Sequence, residues 1–102
     1  MIFSRDLQKK VLFITGASSG IGQRFFVEMT RRHPEALFFC IGRNVDKLNK
    51  SLSEVSLHVE TKMWQCDLVS QQSVKDAISE CLRYYGKIDE VYHFAGVSCW
   101  SS

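Results

Sequence analysis

Apolar runs of strand length alternate with stretches of helical period along this chain, one strand–helix unit roughly every 30 residues, the length a parallel crossover connection needs. The first run is KVLFIT, residues 10–15. From Gly20 to about Arg32 the apolar residues Ile21, Phe25 and Met29 recur at i, i+4 and i+8, which predicts a helix that Pro34 closes. EALFFCIG (35–42) is the second strand, and Asn44 is placed to cap a short helix marked by Val45, Leu48 and Leu52. HVETKMWQCD (58–67) predicts a third strand. After Ser70, a natural cap, Val74, Ala77, Ile78, Cys81, Leu82 and Tyr85 outline the clearest helix, and Gly86 stops it. KIDEVYHFAG (87–96) is the fourth strand. Near-continuous apolar strands such as Val11–Ile14 and Leu37–Ile41 suit a sheet covered on both faces. The expected fold is therefore α/β of Rossmann type: three layers, αβα, around a parallel sheet of about four strands. Right-handed crossovers with a reversal after the third strand give the order 3-2-1-4, which leaves the fourth strand at an edge.

With 102 residues the chain is expected to form one domain, residues 1–102. At 45% apolar and 24% charged it has the composition of a soluble globular protein, and its apolar runs are too short for a membrane-spanning helix. The N-terminal MIFSRDLQKK carries charges where a secretory signal needs an apolar core, so a cytoplasmic location is expected. A formal charge of +2 with scattered basic residues argues against a nucleic-acid partner. Cys40, Cys66, Cys81 and Cys99 are far apart and share no ligand spacing with His33, His58 or His93, so they read as reduced packing residues and no metal site is expected.

The chemistry concentrates in FITGASSGIGQRFF, residues 13–26. Gly16, Gly20 and Gly22 fall where the first strand turns into the first helix, whose N-terminus presents unpaired amides and a partial positive charge. Gly16 permits the tight departure from the strand, Gly20 removes a Cβ that would keep a diphosphate off the amides, and Gly22 lets helix and strand approach. Ser18 and Ser19 add hydroxyl donors. These residues suit a phosphate cradle, although glycine also serves many purely structural βα turns. No Lys follows the last glycine, which excludes a P-loop.

The string TGASSGIG, Thr15–Gly22, resembles the TGxxxGxG pattern of the classical short-chain dehydrogenases/reductases, and the resemblance runs from about Lys10 to Gly96. It implies an N-terminal coenzyme-binding half, with Gly16, Ser18, Ser19, Gly20, Ile21 and Gly22 around the coenzyme's diphosphate. In such a fold the residue that reads the ribose follows the second strand. Here that place holds Gly42 and Arg43 rather than an acid, with Lys47 one helical turn on. Arg43 could grip a 2′-phosphate with its planar fork while Lys47 adds a second cation, so NADP(H) is expected over NAD(H). The alternative is a solvated basic pair at a helix start, though cations there oppose the helix dipole.

The resemblance also makes Asp67 an acceptor for the adenine amino group and Leu68 a backbone lining of that pocket. An Asp in that place could equally cap the loop before Ser70. HFAG (93–96) stands where the family has NNAG: Ala95 and Gly96 match and would let the backbone approach the coenzyme, while His93 and Phe94 depart from the pattern. His93 reads first as a packed or hydrogen-bonded strand residue and second as a proton carrier.

The family's acid is a Tyr with a Lys four residues later and a Ser upstream. Tyr84, Tyr85 and Tyr92 are followed at that distance by Ile88, Asp89 and Gly96, so no catalytic residue is assigned. The chain reads as the NADP(H)-binding portion of an oxidoreductase that reduces carbonyls or oxidises alcohols, truncated relative to the family fold and not competent alone. The alternative is a stand-alone nucleotide-binding or interaction module that pairs through its exposed edge strand with itself or a related chain.

Overall fold

The computed structural model describes residues 9–16, 20–56 and 58–94. Its elements are β1 (Val11–Thr15), α1 (Gly20–Arg32), β2 (Leu37–Gly42), α2 (Val45–Leu52), β3 (Glu60–Gln65), α3 (Gln71–Tyr85) and β4 (Glu90–His93). The strands form one parallel sheet in the order β3-β2-β1-β4. All seven expected elements are present in the expected order. The third and fourth strands are shorter than their apolar runs, and the run from Ala95 onward lies outside the described residues.

Alternation along each strand divides the core between the two faces. Leu12 and Ile14 of β1 join Phe38 and Cys40 of β2 beneath α1 and α2, around buried Phe26 and Leu48. Val11 and Phe13 join Phe39 and Ile41 on the other face, beneath Ala77, Cys81 and Tyr85 of α3. The rings of Phe13 and Phe39 stack nearly parallel with centres 5.6 Å apart on the α3 face, while Phe26 meets Phe38 edge-on with centres 5.9 Å apart under α1. Each fully buried Phe contributes about 1.5–3 kcal/mol by leaving water.

Local signals end the helices where the sequence places them. Asn44 accepts from the Lys47 amide at 3.1 Å and Ser70 from the Ser73 amide at 3.2 Å, caps worth about 1 kcal/mol each. Gly86 closes α3 in the left-handed region at φ 83°. Arg31 and Arg32 in the last turn of α1 both pair with Glu28, at 3.4 and 2.9 Å.

The helix faces differ from their sequence reading. On α1 the buried residues are Gly22, Phe26 and Thr30 rather than Ile21, Phe25 and Met29, and Ile21 is 67% exposed. The reason is position: the Phe25 flank turns toward β4, where its ring meets Tyr92 at 4.7 Å and Phe94 at 4.9 Å. On α3 the buried row is Ala77, Cys81 and Tyr85, whereas Ile78 and Leu82 are exposed. Tyr84 sits on the β3 side of that helix, with the Lys62 ammonium 4.4 Å from its ring centre. At 100° per residue Ile78 and Leu82 therefore occupy the opposite flank, toward β4.

Cys40, Cys66 and Cys81 are free and buried, as packing residues should be. Burial pushes the Cys40 and Cys81 thiols up, Cys81 to about 12, so neither supplies thiolate near neutral pH. No helix among the described residues is long and apolar enough to cross a membrane.

The start of β4 is fastened by Asp89. Its amide donates to the Val11 carbonyl at 2.9 Å, and its carboxylate accepts from the Val11 amide at 2.7 Å. That amide, then the Lys87 ammonium at 3.1 Å, holds the carboxyl below its ordinary 3.8. A carboxylate depressed on folding adds stability above its ordinary pKa and loses it as pH falls through the lower folded value. Asp89→Asn keeps an acceptor but removes the charge. Thermal melts should show the variant below wild type at about pH 7, with the gap closing as pH drops under 3.8.

Candidate functional site

The C-terminal ends of the parallel strands lie on one side of the sheet, where open α/β folds form their ligand crevice, and β1 is central there. Gly16 follows β1 at φ 77°, a left-handed conformation open to glycine at little cost. Its amide donates to the Ile41 carbonyl of β2 at 3.0 Å, while the Phe94 amide donates to the Thr15 carbonyl at 2.9 Å from the other side. Thr15 Oγ1 and His93 Nδ1 are hydrogen-bonded at 2.5 Å. His93 is thus the hydrogen-bonded strand residue that its place in the sequence suggested first.

The helix that leaves this turn starts at Gly20 and has no acid in its first turn, so its positive dipole end is not neutralised from within. Gly20 is exposed, and a Cβ built on it would meet nothing within 4 Å. Among the described residues no neighbouring atom demands a glycine there, and the space beside its Cα is open. Gly22 is buried under the helix and Ile21 faces outward. These features suit an anionic diphosphate. Ser18 and Ser19, expected to add hydroxyl donors, lie outside the described residues, as do Ala95 and Gly96.

At the end of β2, Arg43 and Lys47 are both exposed, and neither has an ion-pair partner among the described residues. The Arg43 carbonyl accepts from Gln65 Nε2 at 3.3 Å, and the Lys47 amide is held by the Asn44 cap. Gln65 was not singled out from the sequence; only the register, which sets it beside Gly42, brings it to the crevice.

Asp67 follows β3, and its exposed carboxylate is partly committed. Oδ1 accepts from the Val69 amide at 3.0 Å, and the Asp67 carbonyl accepts from the Ser70 amide at 3.0 Å. The capping alternative is therefore realised, and it leaves Oδ2 without a partner among the described residues. The Asp67 amide donates to Ser73 Oγ at 3.0 Å, while Leu68 packs on the α3 core. Glycine turn, Arg43 with Lys47, and Asp67 thus follow β1, β2 and β3 in turn along one edge of the sheet.

Residues 10–102 match the model of the short chain dehydrogenase family. The chain belongs to that family. It is 30% identical over 95 residues to secoisolariciresinol dehydrogenase of Forsythia intermedia, which covers 93% of this chain and 33% of the relative. Among solved structures, NAD+-bound xylitol dehydrogenase superposes with a TM-score of 0.73 at 26% identity, covering 80% of this chain and 31% of that one. A variant of actinorhodin polyketide ketoreductase with NADPH shares the fold with a TM-score of 0.79 at 24% identity, over 91% of this chain and 35% of that one. This short-chain dehydrogenase sequence spans between 24 and 38% of the length of its curated relatives. Membership makes a nicotinamide dinucleotide, NAD(H) or NADP(H), the coenzyme class of this family.

Gly20→Val tests the open space in front of α1. Because the added Cβ meets no protein atom, the thermal midpoint should stay within a few degrees of wild type. Titration calorimetry should show dinucleotide affinity falling by about tenfold or more, the equivalent of ~1.4 kcal/mol.

Proposed function

We propose that these residues form the NADP(H)-binding portion of a short-chain dehydrogenase/reductase whose whole reaction moves a hydride between NADP(H) and a carbonyl–alcohol pair. Gly16, Ser18, Ser19, Gly20, Ile21 and Gly22 take the diphosphate side. Arg43 and Lys47 take the 2′-phosphate, Asp67 and Leu68 the adenine, and Ala95 and Gly96 the ribose and nicotinamide side.

The observation that carries the preference for NADP(H) is Arg43 at the end of β2, exposed and uncommitted, with Lys47 a turn away. Several other cations of the fold are engaged: Lys10 pairs with Glu90 at 2.8 Å and Arg83 with Glu80 at 2.6 Å. A guanidinium with no carboxylate beside it is ready for a dianionic phosphate, which it engages through two parallel N–H donors. An acid in its place would hold ribose hydroxyls and repel that phosphate. Related structures hold NADPH in one case and NAD+ in another, so the preference rests on this chain's own cations.

For Asp67 the reading is narrower than for Arg43. Oδ1 already serves the Val69 amide, so the adenine amino group would fall to Oδ2. The bound coenzyme would supply or receive the hydride, and the protein's part here is to orient it.

The sheet's β4 side supports a role as part of a larger catalytic unit. Val91 is 60% exposed on the α3 face, and Ile78 and Leu82 of α3 are exposed as well. On the other face an open groove of about 500 Å³ runs past Leu12, Met29, Ala36 and Tyr92, with Lys10, Glu35 and Glu90 also lining it. Parallel strands with apolar residues on both faces are ordinarily covered on both. The further strands and helices of the family's catalytic half would cover this edge and bring the Tyr–Lys pair that residues 1–102 do not contain.

Calorimetry on the chain should give NADPH an affinity about 10- to 100-fold above NADH, the equivalent of one charge-assisted contact of ~1.5–3 kcal/mol. Arg43→Ala should erase that difference while leaving NADH affinity nearly unchanged. Equal affinities in the wild type would refute the phosphate role. Incubated with NADPH and simple ketones or diketones, the same 102 residues should consume no coenzyme above the protein-free rate; measurable turnover would show that catalysis resides here.

A further inference from the structure

Among the described strands β4 has one bonded neighbour, β1, and its two ends are anchored by different groups. Asp89 and the Lys10–Glu90 pair hold the end remote from the crevice. At the crevice end the last register pair is Thr15 opposite His93, and their side chains meet there. Thr15 is 5% exposed, so its hydroxyl has little access to water and finds its partner in His93 Nδ1. One residue on, Gly16 leaves the strand in its left-handed turn.

We infer that His93 is a positioning residue for the coenzyme: by holding the Thr15 hydroxyl it fixes the end of β1, and with it the turn at Gly16. The inference rests on the coenzyme-binding reading above. Physically, two of the backbone bonds that hold the turn come from opposite sides, Gly16 to Ile41 on the β2 side and Phe94 to Thr15 on the β4 side. The β2 side is braced by β3 beyond it, whereas the β4 side is the outermost strand of the described sheet. A terminal ladder bond on an edge strand opens readily. The imidazole adds a side-chain tether at that point, and losing it would strand a buried hydroxyl and loosen the Phe94–Thr15 bond together. A cradle that must be ordered at the moment of binding holds its ligand less tightly, in proportion to the fraction of time it spends open.

The separate anchors supply the control. In the full chain, His93→Ala should raise the NADPH dissociation constant about tenfold and speed hydrogen exchange at the Phe94 and Gly16 amides. His93→Asn, which keeps polar atoms near Thr15, should recover most of both. Asp89→Asn, acting at the other end of β4, should lower the thermal midpoint without moving the dissociation constant. Thr15→Val removes the same bond from the opposite strand and gives the measurement should His93→Ala fail to fold. Unchanged affinity in His93→Ala or Thr15→Val beside a wild type that binds would overturn the inference. So would an equal loss of affinity in Asp89→Asn, since that would make the effect one of general stability. A wild type that binds no NADPH would defeat the coenzyme reading instead; unchanged amide exchange in the His93 variants would then defeat the tether as well.

Discussion

Backbone hydrogen bonds reach the end of β1 from both neighbouring strands, and the crevice depends on that clamp. Ile41 takes the Gly16 amide on one side and Phe94 gives its own to Thr15 on the other. Between them the chain must leave the sheet at φ 77° and begin α1 a few residues later. A helix N-terminus attracts an anion only when its amides are aimed and uncovered. The clamp supports the aim, and the missing Cβ at Gly20 helps leave the amides uncovered. The apolar side chains of β1 serve the same end, since burial on both faces leaves the strand no freedom to shift register without exposing its core residues.

Covering is uneven across the sheet. Over β1 and β2 both faces are sealed, by α1 and α2 on one side and α3 on the other. At β4 the cover thins to single contacts: Phe25 on Tyr92 and Phe94 on one face, and a largely exposed Val91 on the other. β3, the opposite edge, carries Glu60 and Lys62, charges that discourage pairing with another chain. β4 carries one such charge, Glu90 paired with Lys10, and leaves Val91 largely bare. The asymmetry matches a family fold in which this chain supplies the β3-to-β4 side and spans about a third of its relatives' length.

Charge is divided with similar economy. Acids pair the cations at the ends of α1 and α3 and beside β4, whereas the crevice holds Arg43, Lys47 and an α1 first turn without an acid. Two acids stand near them: Asp46 in the first turn of α2, and Asp67, whose Oδ1 is engaged by the loop it caps.

Local patterns alone determined the seven elements, the Asn44 and Ser70 caps, the Gly86 stop and the glycine turn, because each follows from residues within a few positions of one another. The strand order was legible too, since the handedness of crossovers leaves few choices for a βα alternation. Tertiary structure alone decided which part of each apolar stripe became core. A helical period marks a stripe more than 100° wide, and only the helix's position over β1 and β2 selects Phe26 above Ile21, or Cys81 above Leu82. It likewise decided that Asp67 would cap its own loop, that Gln65 would support Arg43, and that His93 would meet Thr15. The last two pairs are 22 and 78 residues apart in sequence, and register, which no local pattern encodes, is what brings them within hydrogen-bonding distance.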